Sequence, residues 1–462
     1  SNFIPVVVVK DLSSQQAMFL EENRFRLQGI LIKMRLQRNY PYTDIASHIL
    51  GYLGEIDPWR LEKLTSYGYT YKDLVGFGGV EEKYDFFLRQ QTGGTIFQVD
   101  RKNRIVRIIG FKPPRNGKDI QLTIDIRIQK IVEEKLSGKK GAVIIMDPYT
   151  GEIIAMASAP VFSPDAFLKK DLRLKNYFND PSAPLLNRAI AGLYPLGSVF
   201  KLVVATAGLK LKKINLQTRF FCQGRIKIGE REFGCWDTHG NQDLISAIIQ
   251  SCNIFFYKTG LLVGPENIYK WALKFGFGQP TQIDLPYEEK GFLPSVFWDK
   301  LKRKRRWSEG DTANLSIGQG ELLVTPLQVA RMMAVFANGG NLVKPYIVKA
   351  IDGKDITNYQ RRSTNLDIED EIFQVIRKGL RGVVADPEGT ASFLSKLDVS
   401  IAGKTGTVQV PEKKPHGWFV GFFPYEKPKY VICVILENVG AGYYSAELAG
   451  EIIKEMLEEK LL

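Results

Sequence analysis

Two strand-like runs, Gly141–Asp147 (GAVIIMD) and Gly151–Ala157 (GEIIAMA), are parted only by Pro148, Tyr149 and Thr150, and this pairing restricts the fold more than any other feature. So short a connection predicts a hairpin, and a lone hairpin needs further strands or helices against it to be stable. Two more strand-like runs, Trp418–Phe423 and Lys429–Leu436, come only near the end of the chain. Helical spacing fills the interval at Val199–Leu209, Leu244–Lys258, Pro265–Phe275 and Pro326–Phe336, and a closing helix is predicted over Ser445–Leu457. Strands first, helices in the middle, then strands and a helix predict one α/β domain whose sheet is assembled from both ends.

Ahead of the hairpin, Ile120–Asp125 reads as a short strand leading into an amphipathic helix over Ile126–Leu136. From Ser1 to about Arg115 short apolar runs alternate with Gly and Pro, with one helical stretch at Gln15–Leu27, which reads as mixed α+β. The stretch from Gly93-Gly94 to Gly117 is rich in Gly, Pro and charge, and a domain boundary is expected within 90–118. A length of 462 residues accommodates two or three domains. No internal repeat and no low-complexity segment is visible.

No run of 18 apolar residues occurs, and the opening run that begins at Ser1 stops at Lys10 without the pattern of a cleaved signal. Ser1-Asn2, lacking methionine, reads as a tag remnant or a trimmed start, so the missing span is expected to describe this sequence and not a longer product. Of the formal net charge of +13, much is local: Lys300, Lys302, Arg303, Lys304, Arg305 and Arg306. A solvated loop, an anionic surface partner and nucleic acid are the three readings of that run. Neither finger spacing nor an aromatic platform supports the last.

Three strings carry candidate chemistry: Tyr194–Lys201 (YPLGSVFK), Gln250–Asn253 (QSCN) and Gly403–Thr407 (GKTGT). Ser198 and Lys201 are three apart where the chain turns helical, so both side chains share a face and the lysine can serve as the serine's base. It must first lose its own proton, and burial or a second cation, which Lys404 can supply, lowers its pKa. Thr405, Gly406 and Thr407 are small, so a substrate backbone can lie along that strand edge, with Lys404 or Thr407 holding a carboxylate. The N–H groups of Ser198 and Thr407 are the natural oxyanion donors if the strand and the helix start face each other. Ser251 and Asn253 add a hydroxyl that can relay a proton and an amide that can hold a substrate amide.

Each string alone is weak, because Ser-x-x-Lys arises by chance in many helices and Lys-Thr-Gly is ordinary turn chemistry. Their order along the chain, Ser-x-x-Lys, then Ser-x-Asn, then Lys-Thr-Gly-Thr, is that of penicillin-binding proteins and serine β-lactamases. The sequence resembles the class B penicillin-binding proteins, monofunctional peptidoglycan DD-transpeptidases, and within them the elongation type, penicillin-binding protein 2. Arg38–Tyr42 (RNYPY), His48–Glu55 (HILGYLGE), Gly79–Glu81 with Tyr84, Leu122–Asp125 (LTID), Ser316–Gly320 (SIGQG) and Gly417–Gly421 (GWFVG) extend the likeness over nearly the whole chain. Leu196 stands where a second proline is common and Cys252 fills the variable place of Ser-x-Asn, neither at a proposed chemical group.

The resemblance implies an α/β transpeptidase domain of serine β-lactamase type over 116–462, with a central antiparallel sheet and surrounding helices. It is preceded by a non-catalytic mixed α+β pedestal, truncated, over 1–115. Ser198 is then the acylated nucleophile and Lys201 its base, with Ser251 and Asn253 completing the proton and amide network. Lys404, Thr405 and Thr407, around Gly406, bind the donor's terminal carboxylate and frame the oxyanion hole. Crosslinking follows as acyl transfer through a serine acyl-enzyme that β-lactams trap, with no cofactor for catalysis. The implied setting is the periplasmic side of the bacterial inner membrane, with a cytoplasmic tail and single-pass anchor before residue 1. The implied partners are peptidoglycan stem peptides, a membrane-embedded glycan polymerase and an elongation scaffold protein, and not nucleic acid. A DD-carboxypeptidase, a serine β-lactamase or β-lactam sensor, and a non-catalytic wall-synthesis scaffold remain alternatives.

Cys222, Cys235, His239 and Cys252 suit a Cys₃His structural zinc site, with Asp237 as a substitute ligand, at a spacing looser than a standard finger. A Cys222–Cys235 disulfide, suited to an oxidising periplasm, and unpaired buried thiols are the competing readings. Cys433, in an apolar strand, reads as a buried small residue. His48 and His416 read as structural or surface groups, the latter at the border of the cleft.

Overall fold

The hairpin predicted at the start of the α/β domain forms, with Gly141 opposite Ala159 and Ile144 opposite Met156. In this computed structural model, which describes residues 8–9, 12–27, 29–32, 37–91, 93–102 and 104–462, five strands pair antiparallel. Their order is Ala402–Val410, Lys413–Phe423, Tyr430–Leu436, Gly141–Met146, Ile153–Ala159. The late strand Tyr430–Leu436 inserts beside the early Gly141–Met146, with Cys433 opposite Ile144, so both ends of the domain build the sheet. Ala142–Met146 and Val431–Ile435 have no exposed surface at all, which explains why these strands read as continuous apolar runs without alternation.

Helices must therefore cover both faces. Ile126–Leu136 and Gly442–Glu458 pack on each other and on the sheet, and Pro326–Asn338 packs on it separately. Local chemistry fixes their ends. Pro326–Asn338 starts at a Thr325–Gln328 capping box with Pro in its first turn and stops at Gly339 in the left-handed region.

Three elements differ from the sequence reading. Leu244–Lys258, expected as one helix, is two, Leu244–Ile249 and Asn253–Val263, broken where Ser251 takes φ +55°. Gln15–Leu27 is shorter, Ser14–Glu22, because the Asn23 amide donates to the Phe19 carbonyl and ends it. Asp370–Ala385, a long helix with buried Phe373, Ile376, Leu380 and Val383, was not anticipated.

By contact the chain forms two units, Ser1–Pro41 with Arg89–Gly117, and Tyr42–Leu88 with Lys118–Leu462. The first holds helix Ser14–Glu22 and an antiparallel hairpin of Gly94–Val99 with Ile105–Lys112. In the second, residues 42–88, which precede the expected boundary, are tied to the sheet domain. The Ala46 N–H donates to Glu133 Oε1 at 2.7 Å and the Tyr84 hydroxyl to Asp284 Oδ2 at 2.8 Å. Most of the opening apolar run lies outside the described residues. Among the described residues no helix is long and apolar enough to cross a membrane.

Candidate active site

Ser198 sits half-buried in a 3-10 turn, Gly197–Phe200, that runs directly into helix Lys201–Lys210. The approach to that turn is held on both sides: Tyr194 exchanges backbone hydrogen bonds with Val324 at 3.0 and 2.9 Å, and the Pro195 carbonyl accepts from Trp418 Nε1 at 2.9 Å. Gly197, at φ +62°, donates its N–H to the Gly318 carbonyl at 2.9 Å. A Cβ on Gly197 would stand 2.9 Å from Val408 Cγ2 and 3.0 Å from the Thr407 carbonyl oxygen. Only glycine lets the serine turn come this close to Ala402–Val410, which is the sheet's edge strand. The strand and the helix start therefore do face each other.

Lys201 has no exposed surface, and its Nζ donates to the Ser251 carbonyl at 2.7 Å, to Asn253 Oδ1 at 2.7 Å and to Ser251 Oγ at 3.2 Å. The break between the two helices makes this possible, because left-handed Ser251 turns its carbonyl inward. Asn253 Nδ2 donates to the Gly234 carbonyl at 3.2 Å, which leaves its Oδ1 for the lysine. Among the described residues no hydrogen bond joins Ser198 Oγ to Lys201 Nζ; such contacts tighten when substrate binds.

Burial lowers the Lys201 pKa to about 8, against the pull of the Cys235 and Cys252 sulfurs. Lys404, also without exposed surface, is held well below the usual lysine range by burial and then by the charge of Lys201. The two buried amines are thus close enough for the charge of one to disfavour charging the other. Their supply of acceptors differs: Lys201 Nζ has three, whereas Lys404 Nζ reaches one, the Thr405 carbonyl at 3.2 Å.

Thr405 Oγ1 lies 2.7 Å from Thr390 Oγ1, a partner that sequence reasoning missed because nothing in a Gly-Thr pair marks it. Thr407 is exposed, its Oγ1 accepts the Gly442 N–H at 3.0 Å, and its carbonyl accepts from Gln319 Nε2 at 3.5 Å.

Cys222, Cys235, His239 and Cys252 come together, with their four ligand atoms within 4.8 Å of one another. His239 Nδ1 lies 3.5 Å from both Cys222 Sγ and Cys235 Sγ. A tetrahedral zinc with Zn–S of 2.3 Å and Zn–N of 2.1 Å would set that edge at about 3.6 Å, so the set fits. Asp237 is outside it: its side chain is exposed and takes the Thr238 N–H at 2.7 Å. None of the four cysteines is in a disulfide, and Cys433 is buried in its strand with its pKa raised by burial. The cluster reaches the second string directly, since the Asn253 N–H donates to Cys235 Sγ at 3.1 Å and Trp236 Nε1 donates to the Gln250 carbonyl at 2.9 Å.

His48 is buried, bonded through Nε2 to the Pro184 carbonyl at 2.7 Å, and burial lowers its pKa to about 4. His416 Nδ1 accepts the Asn438 N–H at 3.0 Å and its ring meets Tyr194 edge-on.

Residues 141–458 match the family model described as the penicillin binding protein transpeptidase domain, and residues 1–122 that of the penicillin-binding protein dimerisation domain. The chain is 33% identical to the peptidoglycan D,D-transpeptidase MrdA of Acinetobacter baumannii, over 96% of this chain and 69% of that protein. A solved complex between penicillin-binding protein PBP2 and MreC from Helicobacter pylori aligns with a TM-score of 0.88 at 30% identity, covering 98% of this chain and 85% of that one. A solved peptidoglycan synthase complex that coordinates polymerization and crosslinking aligns with a TM-score of 0.80 at 29% identity, covering 96% of this chain and 79% of that one.

Proposed function

The chain belongs to the class B penicillin-binding proteins of elongation type and is a serine D,D-transpeptidase that crosslinks peptidoglycan, and from this premise we propose that Ser198 is its nucleophile and Lys201 its general base. The observation that carries the assignment is the buried amine of Lys201, lowered to about 8 and fixed by Ser251 and Asn253 one helical turn from Ser198. Neutral Lys201 takes the Ser198 proton as Oγ attacks the carbonyl of the penultimate D-alanine; the terminal D-alanine leaves with a proton returned to its nitrogen. An amine of a neighbouring stem peptide then attacks the acyl-enzyme, forming the crosslink and freeing Ser198. Thr405, Gly406, Thr407 and Lys404 receive the donor's carboxylate end, and the N–H groups of Ser198 and Thr407 stabilise the tetrahedral oxyanion.

Domain roles follow the same reading: 1–115 as pedestal and 116–462 as transpeptidase domain, working on the periplasmic side of the inner membrane where the polymer is assembled. The pedestal's exposed hairpin, with Ile96, Val106, Ile108, Ile109 and Phe111 all at least 60% exposed, suits contact with an elongation scaffold protein and a membrane-embedded glycan polymerase. Cys222, Cys235, His239 and Cys252 hold a structural zinc, which ties two neighbouring hairpin loops to the Ser251–Asn253 segment.

The test is intact-mass measurement after penicillin treatment. Wild type gains the mass of one opened β-lactam and Ser198→Ala gains none; an unmodified wild type, or an adduct that survives in Ser198→Ala, defeats the assignment. Fast turnover of nitrocefin would favour a β-lactamase instead.

A further inference from the structure

The six cations at Lys300, Lys302, Arg303, Lys304, Arg305 and Arg306 have no part in the acyl transfer described above, yet the fold braces their segment against elements that lead to the cleft. They follow the short helix Val296–Trp298, capped by Ser295, through a wide turn at Asp299–Arg303 that ends with Lys304 left-handed at φ +53°. Two of the six are pinned. Arg305 Nη2 meets the fully buried Asp299 at 2.8 Å and the same guanidinium clasps Asp311 at 2.8 and 3.2 Å, while Arg303 pairs with Glu321. A carboxylate is rarely buried without a matching charge, and here it fixes the shape of the segment. Lys300, Lys302, Lys304 and Arg306 are exposed, and among the described residues none has a hydrogen-bond or ion-pair partner.

Both pins lead to the cleft walls. Glu321 follows the turn whose Gly318 carbonyl takes the Gly197 N–H and whose Gln319 Nε2 reaches the Thr407 carbonyl. Asp311 belongs to helix Glu309–Ser316, where Gly310 lies against the ring of Phe233, and the next residue, Gly234, orients Asn253 through its carbonyl. The four free cations are thus presented from a braced segment joined to the serine turn on one side and to the Ser251–Asn253 wall on the other.

We propose that Lys300, Lys302, Lys304 and Arg306 form a docking track for an uncrosslinked glycan strand, taking free carboxylates of stem peptides outside the cleft while one stem peptide occupies it. The proposal rests on the reading of the Ser198 cleft as the reaction site. Charge complementarity carries it: the polymer repeats carboxylates along its length, and unpaired cations beside a cleft raise the local concentration of an anionic substrate. An anionic lipid surface would also attract these charges and the exposed Phe297 and Leu301, but it would not explain bracing against the cleft walls.

The experiment uses penicillin-acylated protein, so that the serine subsite is blocked and only its surroundings bind. Soluble uncrosslinked peptidoglycan strands are titrated against wild type and against the combined Lys300→Gln, Lys302→Gln, Lys304→Gln, Arg306→Gln variant. Binding about tenfold weaker in the variant at low salt, with a shallower salt dependence, is the expected result. Equal affinity and equal salt dependence overturn the track. So does a variant that loses binding to phosphatidylglycerol vesicles while its strand affinity is unchanged. The melting temperature checks folding, and Lys302→Gln with Lys304→Gln replaces the fourfold variant if that one is unstable, with a proportionately smaller loss expected. A wild type that takes no penicillin overturns the cleft reading and the track together, whereas normal acylation with unchanged strand binding overturns the track alone.

Discussion

In the cleft, two lysines have no exposed surface at all, while in the hairpin Gly94–Lys112 of the other unit Ile96, Ile108 and Phe111 are 64%, 66% and 70% exposed. Each region reverses the usual distribution of polar and apolar groups, and the proposed reading gives each reversal a different use. Burying Lys201 and Lys404 costs stability, and the return is an amine that can be neutral near physiological pH. Leaving a row of β-branched and aromatic side chains in water on an isolated two-stranded hairpin also costs stability, and on the proposed reading the return is a surface for another chain to cover. Substitution should therefore remove chemistry in the first region and association in the second.

The strongest challenge to this contrast is Lys201→Met. Acylation by a labelled penicillin should slow by about 10²–10⁴-fold, the range of a lost general base. The variant also leaves the Ser251 carbonyl and Asn253 Oδ1 without their donor, at about 1–3 kcal/mol each, so some loss of melting temperature accompanies it. Acylation at the wild-type rate would show that Lys201 is merely structural. The pH profile separates the roles further. With the Lys201 pKa at about 8, the neutral fraction and the acylation rate should rise about tenfold per pH unit in the acid range and level off above about pH 8. For stability the sign is the same: the folded value lies below the usual 10.5, so the unfolded chain binds more protons between the two and the contribution of Lys201 to stability grows as pH rises through that window. A rate that stays flat below pH 8 contradicts the assignment.

The cysteine cluster is the part of the cleft where the contrast can be sharpened. Elemental analysis should find one zinc per chain, and chelation should make Cys222, Cys235 and Cys252 reactive while Cys433 stays hidden in its strand. Because Asn253 hangs by its N–H from Cys235 Sγ, loss of the metal should loosen the segment that holds Lys201 and slow acylation by roughly ten- to a hundredfold. Metal-free protein with freely reactive thiols and full activity would remove both the zinc and its supporting role.

Much of this is legible in the sequence, and what is not has physical causes. The hairpin at Gly141 and the late strands showed in the sequence because β-branched runs buried on both faces leave a continuous signal. The three candidate strings show through residue types at fixed separations. The break at Ser251 did not, because the apolar spacing runs through it and only a tertiary requirement, the carbonyl aimed at Lys201, overrides it. Helix Asp370–Ala385 was missed although its buried face recurs at helical spacing, through Phe373, Ile376, Leu380 and Val383. Thr390 could not be found from sequence, since its role exists only through its contact with Thr405. Asp237 looked like a ligand by position, but its carboxylate turns to the Thr238 N–H instead.

The smallest expected effect tests the other side of the contrast. Ile108 and Phe111 have 66% and 70% of their surface in water, so Ile108→Lys with Phe111→Lys removes little buried area. Stability should stay within about 0.5 kcal/mol of wild type, as for surface substitutions without a special role. What should change is association: co-purification with the elongation scaffold protein and self-association at high concentration should both fall, because two cations replace part of the apolar surface a partner would cover. A loss of several kcal/mol would mean that these side chains support the fold of their own unit, and the hairpin would then be a core element awaiting its packing partner within the chain and not a surface kept open for another.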